Sequence, residues 1–390
     1  MSTPVYLPRE DSFMLLEQVK KYSKGNVLDM GTGSGIQGVG AAKTAKQVYA
    51  IDINPQALVA AKLEADIEKI KNIEFIESDL FENIPKIKFD LIIFNPPYLP
   101  DEDFEDPALF GGKRGYEVLG KFLDSSADFL NDEGHILITS SSLTKRHKVL
   151  EIVKNNLLEL ETIETQHIFF EDLYIDLIKK SELLKEFHKN KISDLKYFNH
   201  GKRGMIFTGI HKDKKIAIKA KKDTSKAPLS IIKEIQFLKK LNKYDIGPKL
   251  VFTKENYFAY EFVVGKFIME FLEISSKKNI KQIILKIFDQ MKKLDDLKIN
   301  KYEMHHPLKH VLIDNKNKVT LLDFERAKYS ENPKNVTQFS DFIISDNLKN
   351  IFQEKNLIID NRTIMDYARK YKKEFSENIY GDLIKYIKSL

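Results

Sequence analysis

The chain has 390 residues, 63 Lys and Arg against 57 Asp and Glu, and neither cysteine nor tryptophan. That length exceeds what one ordinary core holds and implies two or three domains. The lack of cysteine excludes disulfides and thiolate metal sites; no apolar run is long enough for a membrane span, and no basic-then-apolar leader opens the chain, so a cytoplasmic protein with no membrane partner is expected.

Asn26-Val27-Leu28-Asp29-Met30-Gly31-Thr32-Gly33-Ser34-Gly35 reads as a short buried strand running into three glycines, with a small-residue helix over 36–46 behind it. Glycine permits the tight turn and the close approach of a ligand, and the helix start offers free N–H groups. Gly33 to Gly38 also satisfies G-x-G-x-x-G, so an NAD-binding Rossmann domain competes at this point. Val48 to Asp52 is a second strand, whose terminal acid can accept from ribose hydroxyls in either case. Ile73 to Asp79 is a third, placing Asp79, followed by Leu80, where an adenine amino group could be read.

The fourth strand decides between them. Phe89-Asp90-Leu91-Ile92-Ile93-Phe94 is continuous and apolar and stops on Asn95-Pro96-Pro97-Tyr98. Two prolines donate no hydrogen bond and hold φ near about −65°, so the strand ends there with its last groups facing outward. The Asn95 oxygen and the Pro96 carbonyl are left as acceptors beside the Tyr98 ring. A planar –NH2 group could donate both hydrogens to them while lying flat on the ring, which aims its nitrogen lone pair at an electrophile. A dehydrogenase has no use for such a cap.

Asp29, Gly31, Asp52, Asp79 and Asn95 thus fall at or just past the ends of successive strands, where open α/β sheets bind ligands. The arrangement resembles class I S-adenosylmethionine-dependent methyltransferases that act on planar nitrogen. Two groups share it: the HemK family, acting on a protein glutamine amide, and the adenine amino-methyltransferases of DNA and RNA. Tyr6-Leu7-Pro8-Arg9-Glu10-Asp11-Ser12-Phe13-Met14-Leu15-Leu16, Gly111-Gly112-Lys113-Arg114-Gly115, the strand Gly134 to Ser141 and Phe169-Phe170-Glu171-Asp172-Leu173-Tyr174 are similar to the short archaeal and eukaryotic HemK type. The resemblance covers residues 4–179. It implies that Ser12 and Phe13 close over S-adenosylmethionine, that Asp29 and Gly31 sit beside its amino-acid portion, that Asp52 takes the ribose and Asp79 the adenine, that Gly33, Gly35, Leu80 and Asn95 also belong to the cofactor site, and that Asn95, Pro96 and Tyr98 carry catalysis by holding the substrate amide. Asp29 departs from the Glu of many relatives, shortening the reach by a methylene. The implied acceptor is the Gly-Gly-Gln loop of a peptide-release factor, with a small zinc-binding activator protein as a partner.

Residues 1–180 carry 20 Lys and Arg against 30 Asp and Glu, the remainder 43 against 27. A basic half suggests a phosphate-rich partner such as RNA or the ribosome. The acidic run Asp101-Glu102-Asp103-Phe104-Glu105-Asp106 lies next to the expected active site. A polar helix, Ser181 to Asn190, leads within a 181–195 linker to a second domain over 196–390.

In that domain Gly201-Lys202-Arg203-Gly204 reads as a glycine turn able to drape N–H groups over phosphates, with Lys219 at the end of the next strand as a point charge. Glu234, on an amphipathic helix over 231–241, is its ion-pair partner. Glu261 closes a strand that enters a hinge, and Asp323 ends another where a kinase holds magnesium. The pattern resembles a compact RIO-like protein-kinase fold and implies ATP and Mg. The positions of the catalytic base and second magnesium ligand fall on His305 and His310, which suit a hard cation poorly and point to a pseudokinase. A zinc site from His305, His306 and His310 lacks a fourth ligand.

The expected fold class is therefore α/β, a class I S-adenosylmethionine-dependent methyltransferase (Rossmann-like) domain over 1–180, followed by an α+β protein-kinase-like domain. Protein-glutamine methylation is the leading function. RNA or DNA adenine methylation and a nucleotide-responsive binding module with an active atypical kinase are the alternatives.

Overall fold

The computed structural model describes residues 5–99, 110–168, 171–200, 204–221 and 230–390. The chain divides into two compact units, Met1–Ile192 and Ser193–Leu390.

The first unit runs α1 (Glu10–Tyr22), β1 (Asn26–Met30), α2 (Ile36–Ala42), β2 (Gln47–Asp52), α3 (Pro55–Ile67), β3 (Ile73–Glu77), β4 (Phe89–Phe94), α4 (Glu117–Ser126), β5 (Leu130–Ser141), α5 (Arg146–Asn155), β6 (Leu158–Ile168), β7 (Glu171–Lys180) and α6 (Glu182–Lys189). The sheet order is β3-β2-β1-β4-β5-β7-β6, parallel through β5, with β7 and β6 antiparallel. This is the class I Rossmann-like methyltransferase architecture. Strands covered on both faces need apolar side chains on both, which is why β4 is an almost unbroken apolar run. Val27, Leu91, Ile93 and Leu137 pack with Met14, Leu15 and Val19 of α1, while Phe94 meets Phe122 of α4 at 4.6 Å between ring centroids. The strand order reverses between β1 and β4, which are parallel neighbours, so the ends of those two strands open a crevice.

Helix α2 stops at Ala42, short of the expected Lys46, because the chain turns into Thr44 and Ala45, whose N–H groups bond back to Ala41. Helix α6 belongs to the first unit: Phe187 is buried, Ser181 caps it by accepting from Leu184 N, and Lys185 pairs with Glu133 at 2.8 Å. The segment expected to be a linker is thus part of a packed unit, its apolar face hidden in a sequence read as merely polar.

The second unit opens with a five-stranded sheet, order β11-β12-β10-β9-β8 and antiparallel from β11 through β9, from β8 (Ile192–His200), β9 (Gly204–His211), β10 (Lys214–Lys221), β11 (Leu250–Thr253) and β12 (Tyr257–Glu261), with α7 (Ser230–Leu241) between β10 and β11. A helical half follows: β13 (Lys266–Phe267), α8 (Ile268–Ile274), α9 (Lys277–Asp296), β14 (Ile299–Asn300), β15 (Val311–Ile313), β16 (Val319–Leu321), β17 (Lys328–Tyr329), α10 (Asn335–Ile343), α11 (Asp346–Glu354), α12 (Asn361–Glu374) and α13 (Glu377–Ser389). One apolar core joins α7, α9, β15, β16 and the terminal helices. Among the described residues no helix is long and apolar enough to cross a membrane.

Candidate functional site

The crevice of the first unit is a cavity of about 720 Å³ lined from the ends of β1, β2 and β4, the residues after β3, and the start of α1. That lies within the roughly 300–1,000 Å³ usual for small-molecule sites. Gly31, Gly33 and Gly35 carry φ of 63°, 55° and 90° in the turn after β1. Gly35 is required twice over, since a Cβ there would lie 2.8 Å from Ala61 Cα of α3.

Asp52 accepts from the N–H of Gly33 at 3.0 Å and of Asn54 at 2.9 Å, which fixes its carboxylate at the cavity wall. Beside it Ile53, 65% exposed, offers apolar surface to a flat ring. Asp79 and Leu80 border the same end, their turn held by Ser78, whose hydroxyl donates to the Leu80 carbonyl and accepts from Asn83 N. Asp29 is 1% exposed and accepts from the Thr32 hydroxyl at 2.6 Å. Burial pushes its pKa up to about 7, only partly opposed by hydrogen bonds from Thr32 and the Gly38 N–H, and nearby Asp52 adds to the rise.

At the end of β4, Asn95 donates its Nδ2 to Asp11 Oδ2 at 2.9 Å, while its Oδ1 is buried in the cavity wall with no partner. Asp11 itself is 3% exposed and accepts from Tyr6 Oη at 3.0 and 3.1 Å and from Ser12 N at 2.6 Å. Pro96 and Tyr98 line the same wall, and Tyr98 is kept protonated by burial and by the charges of Asp11 and Glu171. The Ser12 hydroxyl donates to Asp11 and its carbonyl accepts from Gln37 Nε2 at 2.8 Å, and Ser12 lies in the cavity wall. Phe13 does not: it is 56% exposed and outside the lining, because the next residue along α1 faces away. Asp11, Tyr6, Glu171 and Ile53 are the site residues that sequence reasoning passed over. Asp11 had a signal, standing inside the motif that carried the resemblance. The acidic run 101–106, Phe169 and Phe170 lie outside the described residues.

A donor with a ribose, a flat base and an amino-acid tail fits this wall: a carboxylate fixed at Asp52 with Asp79 bordering the same end, a glycine turn without side chains, and a buried acceptor without a partner at Asn95. The family profile described as methyltransferase small domain matches residues 10–169. A Methanocaldococcus jannaschii protein, provisionally described as a protein N5-glutamine methyltransferase, is 38% identical over 178 residues, 44% of this chain and 89% of that one. The chain belongs to this methyltransferase family. It is an S-adenosylmethionine-dependent enzyme in its first unit. A release factor glutamine methyltransferase of Fusobacterium nucleatum is 39% identical over 112 residues, covering 27% of this chain and 32% of its own. The methyltransferase thus spans about a third of that bacterial relative. The solved complex of Mtq2 with Trm112 from E. cuniculi, described as methylating the termination factor eRF1, covers 45% of this chain and 99% of that one at 26% identity and a TM-score of 0.38.

The second unit of the methyltransferase carries a separate cluster. Lys219 Nζ on β10 donates to Glu234 Oε2 of α7 at 2.6 Å and to Asp323 Oδ1 at 3.1 Å, with Glu325 Oε2 at 3.6 Å. Burial opposes the Lys219 charge, yet the three carboxylates hold its pKa well above the usual value; burial also works against the Asp323 charge, and Lys219 and Lys301 push that pKa down to about 2. Glu234, Asp323 and Glu325 each bring an oxygen within 4.8 Å of the others, a set that could hold a cation.

Three expectations are corrected here. Glu261 pairs with Ile216 and Phe258 with Lys219, three residues apart, so alternation turns Glu261 to the opposite face, where it meets Lys249 at 3.9 Å. His305 is exposed, its Nδ1 against the Tyr302 carbonyl at 3.0 Å; it does not face the cluster. Glu303, whose side chain is 12% exposed, contacts buried Lys301 Nζ at 3.3 Å, and Lys301 in turn donates to the Asp323 carbonyl. His310 is half-buried with an unpartnered Nδ1, and burial and Lys301 push its pKa down. The three histidines form no metal-gathering group among the described residues. Gly204 opens β9 against the Ala220 carbonyl on β10; Gly201 lies outside the described residues.

Proposed function

We propose that the first unit methylates the side-chain amide of a protein glutamine, in the Gly-Gly-Gln loop of a peptide-release factor. The observation that carries the reading is the buried, unpartnered Oδ1 of Asn95 in the cavity wall. A buried acceptor left without a donor costs about 1–3 kcal/mol, and a substrate –NH2 is the group that would satisfy it. When bound, S-adenosylmethionine supplies a methyl on a positively charged sulfur. Asn95 Oδ1 and the Pro96 carbonyl would accept the two amide hydrogens, and Tyr98 would support the flat face, so that rate enhancement comes chiefly from orientation. The names of the relatives support this acceptor. Ser12, Asp29, Gly31, Gly33, Gly35, Asp52, Asp79 and Leu80 would hold the cofactor. Labelled cofactor incubated with release factor and with tRNA, followed by mass spectrometry, tests it: label on a glutamine is expected, and label only on an RNA adenine would favour the alternative.

We infer further that a small zinc-binding activator covers the exposed apolar stripe Val59, Leu63 and Ile67 of α3, beside the edge strand β3. An apolar stripe at helical spacing next to an open strand supports a protein partner.

For the second unit we propose a protein-kinase-like domain that binds ATP with Mg through Lys219, Glu234 and Asp323, with Gly204 at the phosphate turn. The Lys219–Glu234 pair at 2.6 Å beside Asp323 supports it. Calorimetry should find magnesium-dependent ATP binding that Asp323→Ala weakens.

A further inference from the structure

We propose that Asp11 is the positioning residue that sets which end of the Asn95 carboxamide faces the methyl acceptor. The inference rests on the amide-acceptor reading above and deepens it. An asparagine amide can turn over without moving its outline, exchanging an acceptor for two donors. Here one orientation is enforced: Asp11 Oδ2 takes Asn95 Nδ2 at 2.9 Å, leaving Oδ1 buried and without a partner in the cavity wall. A carboxylate has no hydrogen to give, so Asp11 cannot pair with Oδ1. The carboxylate is in turn fixed by the Tyr6 hydroxyl, Ser12 N and the Ser12 hydroxyl, and its 3% exposure keeps water from substituting. Asp11 therefore acts through Asn95 to choose an –NH2 group and reject a carboxylate.

Replacing Asp11 by Asn gives a sharp outcome. Ser12 offers two donors to one oxygen of residue 11, so Asp11→Asn keeps its remaining oxygen there and turns its new –NH2 toward Asn95. Asn95 must then flip, presenting its own –NH2 to the cavity. In the full chain, methylation of a Gly-Gly-Gln peptide should fall on the order of a hundredfold or more, as expected when a buried hydrogen-bonding site meets the wrong partner. A Gly-Gly-Glu peptide, a poor competitor for the wild type, should compete as well as or better than the Gln peptide against Asp11→Asn, and S-adenosylmethionine affinity should stay within about threefold since the Ser12 bonds persist. Tyr6→Phe, which removes only one support of the carboxylate, should lower kcat without inverting the preference. Wild-type kcat and Gln-over-Glu preference in Asp11→Asn would overturn the proposal, as would a loss of cofactor affinity equal to the loss of rate. If the wild type neither binds nor methylates the Gln peptide, the amide-acceptor reading itself fails, and the inference with it.

Discussion

Asp29 is 1% exposed in the cavity wall and burial pushes its pKa up to about 7, so if it borders the methyl donor, cofactor binding is expected to depend on pH. The folded protein holds this proton more tightly than an unfolded chain would. The neutral form is therefore the stable one, and Asp29 subtracts stability as pH rises from about 4 to 7. A cationic amino group beside it favours the carboxylate instead. S-adenosylmethionine affinity should thus rise between about pH 5.5 and 7 with release of a proton, and Asp29→Asn should flatten the rise; calorimetry in two buffers of different ionisation enthalpy measures both. Asp52 plays a different part, its carboxylate already oriented by Gly33 and Asn54. Asp52→Ala should weaken cofactor binding by about 1.5–3 kcal/mol, the range for a charge-assisted hydrogen bond. Asn95→Ala should abolish transfer while cofactor affinity is retained, and the reverse pattern in a binding titration and a rate assay would exchange the two assignments.

Turns and strand ends carry the chemistry at the scale of elements. Gly35, with φ of 90° and α3 against its missing side chain, should not tolerate alanine: Gly35→Ala is expected to lower the calorimetric transition of the first unit by about 1–3 kcal/mol in stability and to impair cofactor binding. Strands β1, β2 and β4 were legible because buried parallel strands are apolar throughout and their ends are marked by glycine, acid or proline. What escaped reading was direction. A motif fixes which residue stands next in the chain, but Glu303 faces Lys301 only because a 3₁₀ turn over Tyr302–His305 swings it inward and leaves His305 outside. Glu261 escaped for a similar reason, since its face depends on register with β10. Helix α6 looked polar because its two buried apolar side chains, Leu184 and Phe187, stand among charged ones. If the kinase-like reading of the second unit holds and it transfers phosphoryl groups, the transfer should be lost in Glu303→Gln and kept in His305→Ala, with ATP binding intact in both; a radiolabel transfer assay separates them.

Over the whole molecule an acidic unit and a basic one share a chain: 20 Lys and Arg against 30 Asp and Glu in residues 1–180, and 43 against 27 beyond. Such asymmetry draws phosphate-rich partners to one half only, with an attraction that salt screens. The first unit should stand by itself, because 44% of this chain suffices to match 89% of the relative from Methanocaldococcus jannaschii, and the family profile lies within residues 10–169. Removing Ser193–Leu390 should therefore leave methylation of an isolated Gly-Gly-Gln peptide within about threefold of the full chain while reducing methylation of a release factor engaged with RNA or ribosome. The deficit should shrink as salt rises, since the full chain loses its electrostatic advantage and the truncated one has none to lose. Comparing kcat/KM for the two substrates at low and high ionic strength provides the measurement. Equal rates for both proteins on the assembled substrate at low salt would mean that the basic unit serves some other reaction than this methylation.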